Sequence, residues 1–170
     1  MSEIRLHIKS IEEMQSLAYD MTLLLKPSSV LALNGDLGAG KTTFTKGIGK
    51  ASEIGRVINS PTFTIMKVYD ANNKVNGIEK LYHLDVYRLD GSSDDFELEE
   101  YFYQNGLTVI EWATIIDDIL PKDTYFMDIY RLTEDTREVV LKNFTSEMIS
   151  KLGEKYESSM QNVDVREHDY

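Results

Sequence analysis

The sequence predicts an α/β fold, a mixed β-sheet flanked by helices, and three observations carry that reading. A short apolar strand, Val30–Leu33, runs into a Gly-rich turn that opens a helix. Strand-type apolar runs and helical periodicities are interleaved along the chain. Two pairs of neighbouring strands are joined by segments too short for a crossover, so part of the sheet must be antiparallel.

Each element has its own signal. Residues 2–8 alternate apolar and polar side chains, as a half-buried strand does. Ser10 and Glu13 form a capping box, and behind it Ile11, Met14, Leu17, Ala18, Met21, Leu24 and Leu25 recur at helical spacing until Pro27 stops the helix. After the strand Val30–Leu33, a helix should start near Lys41 and end around Gly55. Phe63–Tyr69 and Ile78–Val86 flank a turn-like Ala71–Gly77 and predict a hairpin. Residues 90–100 hold six acids and no base; Ser92 or Ser93 would cap a short helix reaching Tyr103, closed by Asn105-Gly106. Leu107–Ile110 is a second buried-type strand, followed by a short helix to Leu120-Pro121. Thr124–Leu132 and Arg137–Asn143 read as a hairpin around Thr133–Asp135, and a last helix covers 145–156. The remaining residues are polar. The expected division is one domain over 1–156 and a polar C-terminal tail over 157–170, frayed at its end.

Composition excludes several classes. There is no cysteine among the 170 residues, which removes disulfides, iron–sulfur clusters and thiolate zinc sites. His7, His83 and His168 have no zinc-site spacing. No apolar run approaches the roughly 20 residues that span a bilayer, and the N-terminus lacks a signal-peptide core, so a cytoplasmic protein is expected. The net charge of −11 argues against a broad nucleic-acid surface. It is unevenly spread: residues 1–50 hold 6 bases and 5 acids, so an anionic ligand meets least repulsion there.

That third of the chain also carries the chemistry. Gly35-Asp36-Leu37-Gly38-Ala39-Gly40-Lys41-Thr42 matches G-x-x-x-x-G-K-[ST]. The glycines let successive N–H groups turn inward around phosphate oxygens, and the helix that follows aims its positive end at the same anion. Lys41 would reach the β- and γ-phosphates, and the Thr42 hydroxyl would face Mg²⁺. The motif thus predicts a phosphate-binding P-loop. Hydrolysis needs a further acid near the metal. Glu111, ending the apolar run Leu107–Ile110, is the candidate, either as a metal ligand through water or as the group orienting the attacking water; a solvated strand-end carboxylate is the alternative.

Other residues stay open between two readings. Asp85 could support the metal and Arg88 the phosphate charge, or the two could pair on the surface. The hydroxyls of Ser60-Pro61-Thr62-Phe63-Thr64 could sense a γ-phosphate, or form an ordinary Ser-Pro turn. Trp112 could cover the site, face a partner or pack in the core. The acidic run 90–100 is a solvated helix face or a docking surface. Asn73-Lys74-Val75-Asn76 lacks the acid of a guanine-specificity signature, so ATP is favoured.

GDLGAGKTTF at 35–44, SPTFT at 60–64, YHLDVYR at 82–88 and VIEWA at 109–113, in this order, resemble the bacterial TsaE (YjeE/YdiB) family. That family is the small ATPase of the pathway that places threonylcarbamoyl on adenosine 37 of tRNAs reading ANN codons. The resemblance spans most of residues 10–132. It implies a P-loop NTPase-like three-layer sandwich, with ATP and Mg²⁺ bound. It carries phosphate binding onto Asp36, Leu37, Gly38, Ala39, Gly40, Lys41, Thr42 and Thr43, and Mg²⁺ onto Thr42 and Glu111. Thr62 and Asp85 match the switch-like and HxDxYR positions, and Ile11 matches a contact to the nucleotide base. Lys41, Glu111, Thr62 and Asp85 would then be the catalytic set.

The implied partners are TsaD and TsaB, with tRNA reached through their complex, and no DNA or membrane. ATP turnover would reset the TsaD–TsaB assembly between rounds; the chain itself would not transfer the threonylcarbamoyl group. Two departures from the family pattern, the dense acids of 89–106 and the tail past Lys151, touch the partner surface rather than the nucleotide site. No arginine stands near the P-loop in sequence, so hydrolysis by the isolated chain should be slow. A nucleotide-gated binding module with incidental hydrolysis, and a small-molecule P-loop kinase, are the competing functions.

Overall fold

The computed structural model describes residues 2–36, 38–58, 66–85, 104–111 and 120–162. These form eight strands and three α-helices. In chain order they are β1 (Ser2–Ile8), α1 (Ile11–Thr22), β2 (Val30–Gly35), α2 (Lys41–Ala51), β3 (Met66–Asp70), β4 (Lys80–Asp85), β5 (Gly106–Glu111), β6 (Tyr125–Arg131), β7 (Arg137–Lys142), α3 (Ser146–Lys155) and β8 (Glu157–Asn162). A single turn of 3₁₀-helix, Val75–Gly77, lies between β3 and β4.

All eight strands join one sheet in the order β3-β4-β5-β2-β6-β7-β1-β8. The middle is parallel: β4, β5, β2 and β6 run the same way. The flanks are antiparallel, through β3 on one side and β7, β1 and β8 on the other. The mixed sheet expected from the two hairpins is therefore present, and both hairpins form where the turn residues put them.

One face of the sheet packs against the helices. Ile4, Leu6 and Ile8 of β1, Leu31 and Leu33 of β2, Leu107 and Val109 of β5, and Met127 and Ile129 of β6 share a core with Met14, Leu17 and Met21 of α1 and Phe44 and Ile48 of α2. On the opposite face Ala32, Leu84, Ile110 and Val140 are buried too, as in a sheet that is covered on both sides. Helix α1 starts as the capping box requires: Glu13 N–H donates to Ser10 Oγ at 3.0 Å. Helix α3 repeats the device, Met148 N–H donating to Thr145 Oγ1 at 3.2 Å.

Several boundaries differ from the sequence reading. Helix α1 ends at Thr22 rather than Leu25, because the chain tightens into turn hydrogen bonds from Leu24 to Met21 and Leu25 to Thr22 ahead of Pro27. Helix α2 ends at Ala51, and Ile54 N–H then bonds to the Gly49 carbonyl. The larger difference is at the C-terminus. Residues 157–162, expected as the start of a polar tail, form β8 and pair antiparallel with β1. An edge strand needs backbone partners more than apolar side chains, so the polar sequence ESSMQN gave no signal for it. The short helix expected to reach Tyr103 from Ser92 or Ser93, all but the last residues of the one expected to reach Leu120-Pro121, and the start of the strand expected from Phe63 lie outside the described residues.

Candidate functional site

The site is built by strand register. Strands β2, β5 and β4 are parallel neighbours, with Leu33 opposite Glu111 and Glu111 opposite Asp85. The carboxyl ends of all three therefore lie abreast. Side chains in register across parallel strands point to the same face, so Glu111 and Asp85 share the face on which Leu31, Leu33 and α2 pack. The loop leaving β2 arrives at this same end. This is the position that the sequence assigned to Glu111, beside the Gly-rich loop.

The loop turns sharply into α2. Gly38 and Gly40 have φ of 81° and 121°, which L side chains rarely adopt. Ala39 N–H closes the turn on the Asp36 carbonyl at 2.9 Å. Gly40 is the N-cap of α2 and supplies no side-chain cap, so the first turn of that helix presents its N–H groups with no carboxylate or hydroxyl of the N-cap on them.

Lys41 opens α2 and is only 6% exposed. Its Nζ donates to the Gly35 carbonyl at 2.7 Å, which folds the side chain back over its own loop. Burial holds the ammonium below the ordinary lysine value, while Glu111, Asp85 and Asp36 act in the opposite sense. Three carboxylates thus act on one buried cation at a helix N-terminus.

Glu111 is itself buried, and its Oε2 lies 2.5 Å from Nε2 of His83, whose side chain is fully enclosed. The sequence passage YHLDVYR contains His83, but spacing alone assigned it no task.

Arg137 is the other residue that sequence reasoning missed. It begins β7, yet its Nε donates to the Ala39 carbonyl at 2.7 Å and its Nη2 to the Gly38 carbonyl at 3.3 Å. Its Nη1 holds the carbonyls of Thr133, Glu134 and Thr136 in the β6–β7 turn. No local signal could have found this. It follows from β6 lying parallel beside β2, with Gly35 opposite Ile129, which brings the β6–β7 turn to the end where the Gly-rich loop sits.

Ile11, at 60% exposed, lines a shallow cleft with Ser10, Met14, Gly40, Thr43, Asp135 and Arg137. Of the residues named from the sequence, Ile11, Asp36, Gly38, Ala39, Gly40, Lys41, Thr42, Thr43, Asp85 and Glu111 fall on the loop, the start of α1 or α2, or the adjoining strand ends. Leu37, Thr62, Arg88, Trp112 and the acidic run 90–100 lie outside the described residues. No group of three or more His, Cys, Asp and Glu is arranged to hold a metal by itself among the described residues.

Fold and site define the class: an α/β protein with a mixed sheet whose central parallel strand passes through a Gly-x-x-x-x-Gly-Lys-Thr loop into a helix. The model of the family described as threonylcarbamoyl adenosine biosynthesis protein TsaE matches residues 8–139. The chain belongs to the TsaE family. It is 41% identical over 157 residues to the tRNA threonylcarbamoyladenosine biosynthesis protein TsaE of Bacillus subtilis, covering 92% of this chain and 91% of that one. The protein of the same name from Treponema pallidum is 39% identical over 120 residues, 69% of this chain and 84% of the relative. Among solved structures, the crystal structure of Bacillus subtilis YdiB superposes with a TM-score of 0.72 at 35% identity, over 91% of this chain and 97% of that chain. Among the described residues no helix is long and apolar enough to cross a membrane.

Proposed function

We propose that this chain is the ATP-binding and ATP-hydrolysing component of the machinery that makes N6-threonylcarbamoyladenosine at position 37 of tRNA, and that it acts on a TsaD–TsaB complex to support repeated turnover. The observation that carries the nucleotide part is the register of β2, β5 and β4, which gathers the Gly35–Thr42 loop, Glu111 and Asp85 around Lys41. The pathway part rests on membership of the family and on the names of its relatives.

The residues present fit a triphosphate with Mg²⁺. The loop and the uncapped start of α2 offer backbone N–H groups to phosphate oxygens, and Lys41 offers a cation whose attraction for phosphate is stronger in its buried setting. The Thr42 hydroxyl and the carboxylates of Glu111 and Asp85 are hard oxygen donors; Mg²⁺ characteristically takes one or two of these and completes its shell with phosphate and water. When bound, Mg²⁺ neutralises charge on the β- and γ-phosphates. Glu111 orients the water that attacks the γ-phosphorus; the bond to the β-phosphate oxygen breaks, and ADP and phosphate leave.

Reconstitution tests the whole reading. With tRNA, TsaD and TsaB, modification should continue over many turnovers only when this chain and ATP are present, and ATP hydrolysis should change when the partners are added. Equal hydrolysis with and without them rejects the partner mechanism. Lys41→Ala should weaken ATP binding in isothermal titration, because bound phosphate loses its charged hydrogen-bond partner. Glu111→Ala separates hydrolysis from gating: modification that persists while hydrolysis stops makes the chain a nucleotide-gated binding module instead.

A further inference from the structure

His83 lies on β4 in register with Val109 and, two residues short of the strand end, reaches across to the carboxylate of Glu111 on β5. Its side chain has no exposure to solvent. Nε2 makes the contact to Glu111, and Nδ1 is buried without a hydrogen-bond partner among the described residues. A carboxylate has no proton to give, so the ring nitrogen that faces Glu111, Nε2, is the donor in this contact. Folding alone would favour an apolar side chain at this place, because a buried nitrogen without a partner is a standing cost. Among the described residues, the polar contact that the ring makes is to the acid at the strand end. Glu111 also lies within the electrostatic reach of Lys41, and a carboxylate free to rotate would be drawn to that ammonium.

We infer that His83 is a positioning residue that fixes the Glu111 carboxylate through one oxygen, so that the other is held ready for the metal ion or its water and is kept from collapsing onto Lys41. This rests on the nucleotide reading given above and adds to it a residue that touches neither phosphate nor metal. Groups that orient a metal ligand in this way commonly change metal affinity or activity by about 10- to 100-fold when removed.

The test uses the full chain with a fluorescent ADP analogue, titrated with Mg²⁺ and compared with the same titration in EDTA. His83→Leu should raise the Mg²⁺ midpoint by about 10- to 100-fold, while the fall in metal-free nucleotide affinity caused by Glu111 turning towards Lys41 should be much smaller and should also be reversed in His83→Gln. His83→Gln carries an amide N–H at similar reach and should return the midpoint to within a few-fold of the wild type. A purely structural role would lower thermal stability and nucleotide affinity together, with no rescue by Gln. A second readout needs no ligand: the ¹⁵N spectrum of the wild-type imidazoles should show His83 with its proton on Nε2, and Glu111→Ala should move that resonance. An Nδ1–H tautomer, or an unchanged Mg²⁺ midpoint in His83→Leu, overturns the inference. Glu111→Gln tells the two failures apart. If it raises the Mg²⁺ midpoint and His83→Leu does not, only the role of His83 falls; if neither does, the assignment of Glu111 falls as well.

Discussion

Arg137 donates from Nε to the Ala39 carbonyl at 2.7 Å, and so ties the β6–β7 turn to the middle of the Gly-rich loop 98 residues earlier in the chain. Nη2 reaches Gly38, and Nη1 reaches three carbonyls of the turn. A planar fork serving two backbone segments fixes their separation, which a flexible ammonium cannot do. Arg137→Ala should therefore weaken binding of a fluorescent ADP analogue by about 10-fold or more, the usual scale for losing hydrogen bonds from a charged donor. Arg137→Lys should recover only part of that loss. Unaltered affinity in the Ala variant would show that the loop keeps its shape without the clamp.

A close approach between α1 and α2 sets a second expectation. A Cβ added at Gly47 would lie 2.5 Å from the Gln15 carbonyl oxygen and 2.7 Å from the Ala18 Cβ. Alanine gains up to about 1 kcal/mol over glycine in a helix interior, so propensity alone makes Gly47→Ala stabilising. Backbone cannot yield as a side-chain tip can, and overpacking of this kind costs about 1–3 kcal/mol. Gly47→Ala should accordingly lower the urea midpoint. It should also loosen the start of α2, seen as a smaller gain in thermal stability when nucleotide is added.

The contrast between Gly47 and Gly40 shows what the sequence could convey. Gly40 stands at a fixed place in a motif whose chemistry demands it, and the loop, the helix behind it and the strand ahead of it all form where that motif puts them. Glu111 was legible for a related reason: an acid that closes an apolar run marks a strand end. Gly47, Arg137 and His83 do their work across the fold, against residues 29, 98 and 28 positions away, and no local pattern encodes such distances. Strand β8 was missed because its pairing with β1 uses backbone groups, which every sequence has.

Asp85 stands beside Glu111 in the register of β4 and β5, and its carboxylate acts on Lys41. Asp85→Asn keeps the shape and removes the charge. Under the proposed function, ATP hydrolysis assayed with TsaD and TsaB present should fall by about 10- to 100-fold, as for other groups that support a metal shell. Nucleotide affinity without metal should hold or rise, since a negative charge near the phosphates has gone. A fall in metal-free affinity equal to the fall in rate would place Asp85 in loop structure rather than in the chemistry.

Tyr156 joins α3 to α1 and gives the fold an alkaline limit. Its hydroxyl donates to Asp20 Oδ2 at 2.6 Å, so the 2.9 Å contact with Ser16 has the serine as donor. Burial first, and then the bond to Asp20, push its pKa well above the ordinary tyrosine value. Below pH about 10 both folded and unfolded chains keep this proton. Above it the unfolded chain releases the proton and the folded chain does not, so stability falls as pH rises from there. Tyr156→Phe should cost about 1.5–3 kcal/mol at neutral pH, the scale of a hydrogen bond to a charged group, and the lower end is expected because Asp20 retains Lys155 at 2.7 Å. Urea titrations from pH 8 to 11 should then show the gap between wild type and variant narrowing above pH about 10, where the wild type alone loses this contribution. Two parallel curves would mean that the hydroxyl ionises as freely in the folded chain as in the unfolded one.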